Sequence, residues 1–150
     1  MQMRAVLIDP FACRVIEIAI ERDPVGHSTL AAIYAALSHE TMPVQYITAV
    51  GLGRGEALFV DEEGAVKDRY PCGGARRWFR LIPGSAGQHR EQGYHESLAG
   101  KGLILGNDDE GAERSTHYRA ADIAPLVMFL TAGRLPFHIV ETRTPWRKDA

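Results

Sequence analysis

Two apolar runs separated by an Asp-Pro turn constrain this chain more than any other feature. Residues 4–8 (RAVLI) form a compact apolar run, and Asp9-Pro10-Phe11-Ala12 follows. Asp at the first turn position hydrogen-bonds the backbone ahead of it, and Pro at the second presets φ. Residues 13–20 then place Cys13, Val15, Ile16, Ile18 and Ile20 in a rough alternation, with Arg14 and Glu17 between them. Two such runs joined by a turn predict an antiparallel β-hairpin.

The same reasoning extends along the chain. Leu30, Ile33, Tyr34 and Leu37 fall at i, i+3, i+4 and i+7, which predicts a short amphipathic helix with capping hydroxyls from Ser28 and Thr29 and Pro43 past its end. Val44, Tyr46, Thr48 and Val50 alternate as a strand, interrupted by Gly51-Leu52-Gly53-Arg54-Gly55. Residues 57–60 read as a strand that turns at Asp61-Glu62-Glu63-Gly64 and pairs back through 65–67, a second hairpin over 56–67. Further strands are expected over 77–82, 102–105 and 137–140. Ile123, Leu126, Val127 and Leu130 repeat the helical spacing, so a second helix is predicted there, capped by Asp122 and closed by Gly133. The Gly-rich polar stretch from 83 to about 95 reads as a mobile loop and 144–150 as a frayed tail. The expected fold is α+β: a single domain over 1–150 with a mainly antiparallel sheet built from β-hairpins, one short helix after the first hairpin and a second near the C-terminus.

Composition narrows the function. Lys and Arg number 17 against 19 Asp and Glu, a net charge of −2 that is too balanced for a generic nucleic-acid binder. The two cysteines, Cys13 and Cys72, form no CxxC pair, so they read as reduced thiols rather than zinc ligands. Residues 5–8 are too short an apolar run for a signal peptide or a membrane span, which makes a cytoplasmic protein without membrane contact the expectation.

Three stretches, AVLIDPF (5–11), FVDEEG (59–64) and LAGKGLILGNDDEG (98–111), occur in this order and spacing. Together they resemble a family of small uncharacterised proteins encoded by phages, plasmids and other mobile elements. The resemblance covers about 4–111, and the long insert over 69–93 departs from the shorter loops of that family. It implies a mobile-element setting and an accessory or anti-defence role, and it assigns no catalytic residues.

The chemistry-bearing residues give two candidate surfaces. Over 67–90, Lys67, Arg69, Arg76, Arg77, Arg80 and Arg90 stand against Asp68 alone, a net of +5, with Tyr70, Trp78 and Phe79 interleaved. Cations for phosphate and planes for stacking suit a nucleotide or single-stranded nucleic acid, so Arg69, Arg76, Arg77, Trp78 and Arg80 are candidate binding residues. The competing reading is a solvated edge strand. Over 91–115, Glu91, Glu96, Asp108, Asp109, Glu110 and Glu113 oppose Lys101 and Arg114, a net of −4. Asp108, Asp109, Glu110 and Glu113 form a candidate partner-facing acidic loop; solvated loop charges are the plainer reading.

No catalytic set, metal site or cofactor is expected. The glycines at 51, 53 and 55 precede a strand rather than a helix, so they read as a turn or bulge and not as a dinucleotide fingerprint. His27, His39, His89, His95, His117 and His138 form no HExxH or HxH set. Asp9 and Asp61, each at a strand end, are explained by turn formation; with a histidine they would be the parts of a small hydrolase, the third reading. The leading reading is a non-enzymatic protein that binds a host or mobile-element protein.

Overall fold

The computed structural model describes residues 2–26, 28–39, 43–63, 77–81, 98–131 and 142–143, with the backbone alone at 77, 78, 130, 131, 142 and 143. The predicted first hairpin is present. β1 (Gln2–Asp9) and β2 (Arg14–Glu21) pair in unbroken antiparallel register from Gln2 with Glu21 to Asp9 with Arg14. Asp9 closes the turn through Oδ1, which accepts the N–H groups of Phe11 at 2.9 Å and Ala12 at 3.3 Å. Cys13 supplies the left-handed residue (φ 52°) that returns the chain into β2.

The helix over 30–37 is also present, as α1 (Leu30–Leu37), although Thr29 at its N-cap makes no side-chain hydrogen bond to it. Later strands are β3 (Ile47–Gly53), β4 (Glu56–Asp61), β5 (Arg77–Leu81), β6 (Leu98–Ala99), β7 (Gly102–Asn107), β8 (Glu113–Arg114), β9 (Val127–Thr131) and β10 (Thr142–Arg143). They build two sheets. The larger has the order β10-β2-β1-β7-β4-β3, with β8 folded back on β7; the smaller has the order β6-β5-β9. Every described pairing is antiparallel except β10 with β2. The class is therefore α+β with mainly antiparallel sheets.

Side chains alternate across a strand, and here both faces of the larger sheet are covered. On one face Met3, Ala5, Leu7, Ile16, Ile20, Leu103 and Leu105 pack with Ile33 and Leu37 of α1. On the other Val6, Ile8, Val15, Leu58, Val60 and Ile104 meet Phe79 and Leu81 of β5 and Val127 and Phe129 of β9. The same core includes Ile123 of α2 (Ala120–Ile123). Two-sided burial is why β1 and β7 read as continuous apolar runs instead of clean alternations.

Three expectations are corrected. β4 is not the first arm of a 56–67 hairpin: its two edges are taken by β3 and β7, so no edge remains for a returning strand. The expected arm at 65–67 lies outside the described residues. The strand before it begins at Ile47, not Val44, and runs into the glycines, with a register shift between Gly51 and Gly53. Arg54 and Gly55 both have positive φ (56° and 73°), as a two-residue type I′ hairpin turn requires, so the glycine reading as turn and bulge holds. The third correction is larger. The predicted helix over 123–133 is one turn of α2 and a 3-10 turn (Ala124–Leu126), after which the chain becomes β9. Val-Met-Phe-Leu-Thr is β-branched and aromatic, and five-residue pairing with β5 buries Val127 and Phe129 on one face. An apolar run this short fits both periods, and the available partner strand decides. The stretches 83–95, 137–140 and 144–150 lie outside the described residues. Among those described, no helix is long and apolar enough to cross a membrane.

Phe79 and Phe129 are opposite one another in the β5–β9 ladder and neither is exposed. Phe79→Ala opens a cavity between the two sheets and is expected to cost about 3–5 kcal/mol. Urea unfolding followed by fluorescence checks this through the transition midpoint.

Candidate functional site

The β7–β8 hairpin carries the acidic candidate residues at its tip. Beyond Asn107, Asp108 folds the loop with its own side chain: Oδ1 accepts the N–H groups of Glu110 and Ala112, both at 2.9 Å. The backbone adds Asp108 N–H to Ala112 O at 2.8 Å and Gly111 N–H to Asp108 O at 3.0 Å. This is an Asx-type turn fixed by four hydrogen bonds. Asp108, Asp109 and Glu110 are exposed on it, and none pairs with a cation among the described residues. Glu113 is half-buried in β8, and its carbonyl accepts Arg22 Nη2 at 2.7 Å. The structure thus separates Glu113, which is part of the hairpin stem, from the three acids at the tip.

The stem rests on a buried ion pair. Glu56, at the start of β4, lies 2.9 Å through Oε2 from Arg114 Nη1, and the Glu56 side chain is 2% exposed. Thr116 Oγ1 donates to the other oxygen, Oε1. Arg114 uses its remaining donors on backbone carbonyls: Asn107 at 3.2 Å, Ser115 at 2.7 Å and Gly55 at 3.2 Å. A Cβ at Gly106 would overlap the guanidinium, so only glycine admits this cation against β7. The group therefore ties β4, β7, β8 and the β3–β4 turn together directly beneath the acidic tip.

The segment after β8 is pinned in the same manner. Arg4 Nη2 donates to Thr116 O, and Thr116 N–H donates to Arg4 O at 3.0 Å. Glu17 is buried on the same sheet face, where Oε2 accepts Ala120 N–H at 3.0 Å and lies 3.4 Å from Arg119 Nε. Glu17 and Glu56 escape a reading of the sequence because a carboxylate in a strand ordinarily faces water, whereas these share a face with the core residues Val15, Leu58 and Val60. Their signal would be the Arg at 114 and the Thr at 116, which only the fold brings to them. Burial and the Glu56 carboxylate push the Tyr118 hydroxyl above its ordinary value of 10.0.

The remaining candidates are placed as follows. Arg80 is half-buried in β5, between Phe79 and Leu81, which face the core. For Arg77 and Trp78 only the backbone is described, paired with β9; Arg69 and Arg76 lie outside the described residues. Asp9 and Asp61 do reach the same end of the sheet. Ile8 and Val60 both pair with Gly102, so the two aspartates flank Lys101 from either side. Two strand spacings, about 10 Å, separate their backbones. Each closes its own turn, Asp61 by accepting Glu63 N–H at 2.9 Å, while Lys101 Nζ donates to Ser38 O at 3.1 Å. His39 stacks on Phe11 with ring centroids 3.8 Å apart, and His117 is exposed. The Cys13 thiol donates to Pro10 O at 3.6 Å. Among the described residues no group of three or more His, Cys, Asp or Glu is arranged to hold a metal ion. His27, His89, His95, His138 and Cys72 lie outside them.

Comparison with protein-family models, with curated proteins and with solved structures finds no match.

Glu56→Gln leaves the Arg114 guanidinium without its counter-charge and is expected to cost about 3 kcal/mol, read from urea unfolding. A second expectation concerns alkali. The folded state holds Tyr118 neutral, so its contribution is complete below pH 10 and is lost as pH rises beyond it, where the unfolded chain ionises first. Urea midpoints on either side of pH 10 should fall less for Tyr118→Phe than for the natural chain.

Proposed function

We propose that this protein acts by binding another protein, in the cytoplasm, as an accessory protein of a mobile element with an anti-defence role. The partner is a host or mobile-element protein with a basic face. The observation that supports this reading is the β7–β8 tip: three consecutive exposed carboxylates, without cationic partners among the described residues, on a turn held by four hydrogen bonds. Charges fixed in this way are already ordered, so a partner meets little loop-ordering cost on binding. Opposite charge on the partner would speed encounter and select against wrong partners. The described carboxylates nearer the core act on the fold itself, which favours this reading over a hydrolase built from Asp9 and Asp61.

The test compares partners retained from the native-type host by the natural chain and by Asp109→Lys/Glu110→Lys. Both positions are exposed and outside the turn's side-chain bonds, so stability should change by no more than about 0.5 kcal/mol. Loss of a specific partner with unchanged melting supports the reading. Retention of every partner by the reversed variant removes it.

A further inference from the structure

Among the described residues, five arginines are half-buried: Arg4, Arg14, Arg22, Arg80 and Arg114. Four have an acceptor or a counter-charge. Arg4 donates to Thr116 O and Arg22 to Glu113 O at 2.7 Å; Arg14 lies 3.7 Å from Asp9; Arg114 lies 2.9 Å from Glu56. Arg80 is different. Its Nε is sealed from solvent without a hydrogen-bond partner, as are those of Arg4, Arg14 and Arg22, but unlike theirs its guanidinium has no hydrogen bond or ion pair among the described residues. Exposure does not account for this, as it does for Arg54 on its open turn.

The position is as unusual as the missing partner. β5 is the central strand of the smaller sheet, between β6 and β9. Phe79 and Leu81 fill the core from one face of β5, so alternation sends Arg80 to the outer face, opposite half-buried Met128. A half-buried cation with a sealed Nε and no counter-charge among the described residues weakens the fold that carries it. Its planar fork remains ready for a bidentate anion.

We infer that Arg80 marks a binding position for a phosphate group on the outer face of the β6-β5-β9 sheet. Phosphate is preferred to a carboxylate because residues 67–90 carry a net of +5, from six basic residues and one acid, and such an excess attracts a polyanion. The phosphate belongs either to a free nucleotide or to a single-stranded nucleic acid, and the same fork recognises both. This inference is independent of the acidic tip and does not stand or fall with it.

Fluorescence anisotropy of a labelled oligothymidylate and of a fluorescent ATP analogue, at low salt, tests it with the full chain. Saturable binding of the oligonucleotide identifies a single strand as the source, and binding of the ATP analogue alone identifies a nucleotide. In either case Arg80→Gln should weaken binding about tenfold, and for the oligonucleotide it should reduce the salt slope by about one. Arg54→Gln is the exposed control and should change little. If neither probe binds saturably, or Arg80→Gln binds as the natural chain does, the assignment is overturned. Arg80→Met gives a readout without ligand. Removing an unpaired cation should raise the melting temperature by about 2–4 °C. A lower melting temperature would mean that the guanidinium serves the fold, and it too would overturn the assignment.

Discussion

The Glu56–Arg114 pair decides how the second half of the chain meets the first. Glu56 starts β4, Arg114 ends β8, and the pair stands over Gly106 in β7. A carboxylate with a side chain 2% exposed is costly to bury unless its oxygens are satisfied, and both are, by Arg114 and by Thr116. In meeting that requirement the chain is forced to cross the sheet. Residue 116 must lie beside Glu56, which brings Arg4 into reach of the Thr116 carbonyl and places Ala120 over Glu17. From there the apolar run enters the second layer, beside β5. The polar contacts select the path, and the burial of Ile123, Val127 and Phe129 supplies most of the free energy along it.

This order of causes also explains what was legible in the sequence. The β1–β2 hairpin and α1 were legible because their signals are local. Asp9 and Pro10 make the turn whatever surrounds it, and the spacing of Leu30, Ile33, Tyr34 and Leu37 needs only one apolar neighbour. The strand character of 127–131 was not. Val127 and Leu130 suit a helix and Val127 and Phe129 suit a strand, so the answer lies with β5, some fifty residues earlier in the chain. The 56–67 hairpin failed for a related reason. Asp61-Glu62-Glu63 does form a turn, but β4 already has β3 and β7 as neighbours. Long-range pairing, which no local pattern reports, settled both.

The candidate surfaces divide along the same line. The acidic run at 108–110 was visible as charge, but its rigidity was not, because that depends on which oxygen of Asp108 turns inward. Glu113 looked equivalent to its neighbours and is part of the stem. Arg80 was visible as one of several arginines in a basic insert. What distinguishes it, a half-buried guanidinium with no hydrogen bond or ion pair among the described residues, depends on the fold and leaves no mark in the sequence.

The described arginines nearest the crossing segment serve backbone carbonyls and buried carboxylates, and they are spent on the fold. Most of the cations whose side chains are described are committed in this way. Charges that stay uncommitted at ordered positions are therefore the informative ones. The tip acids and Arg80 are of opposite sign and lie on different sheets, so one ligand of uniform charge would not satisfy both. The two features are consistent with two separate contacts, one to a basic protein face and one to a phosphate, each free to act without the other.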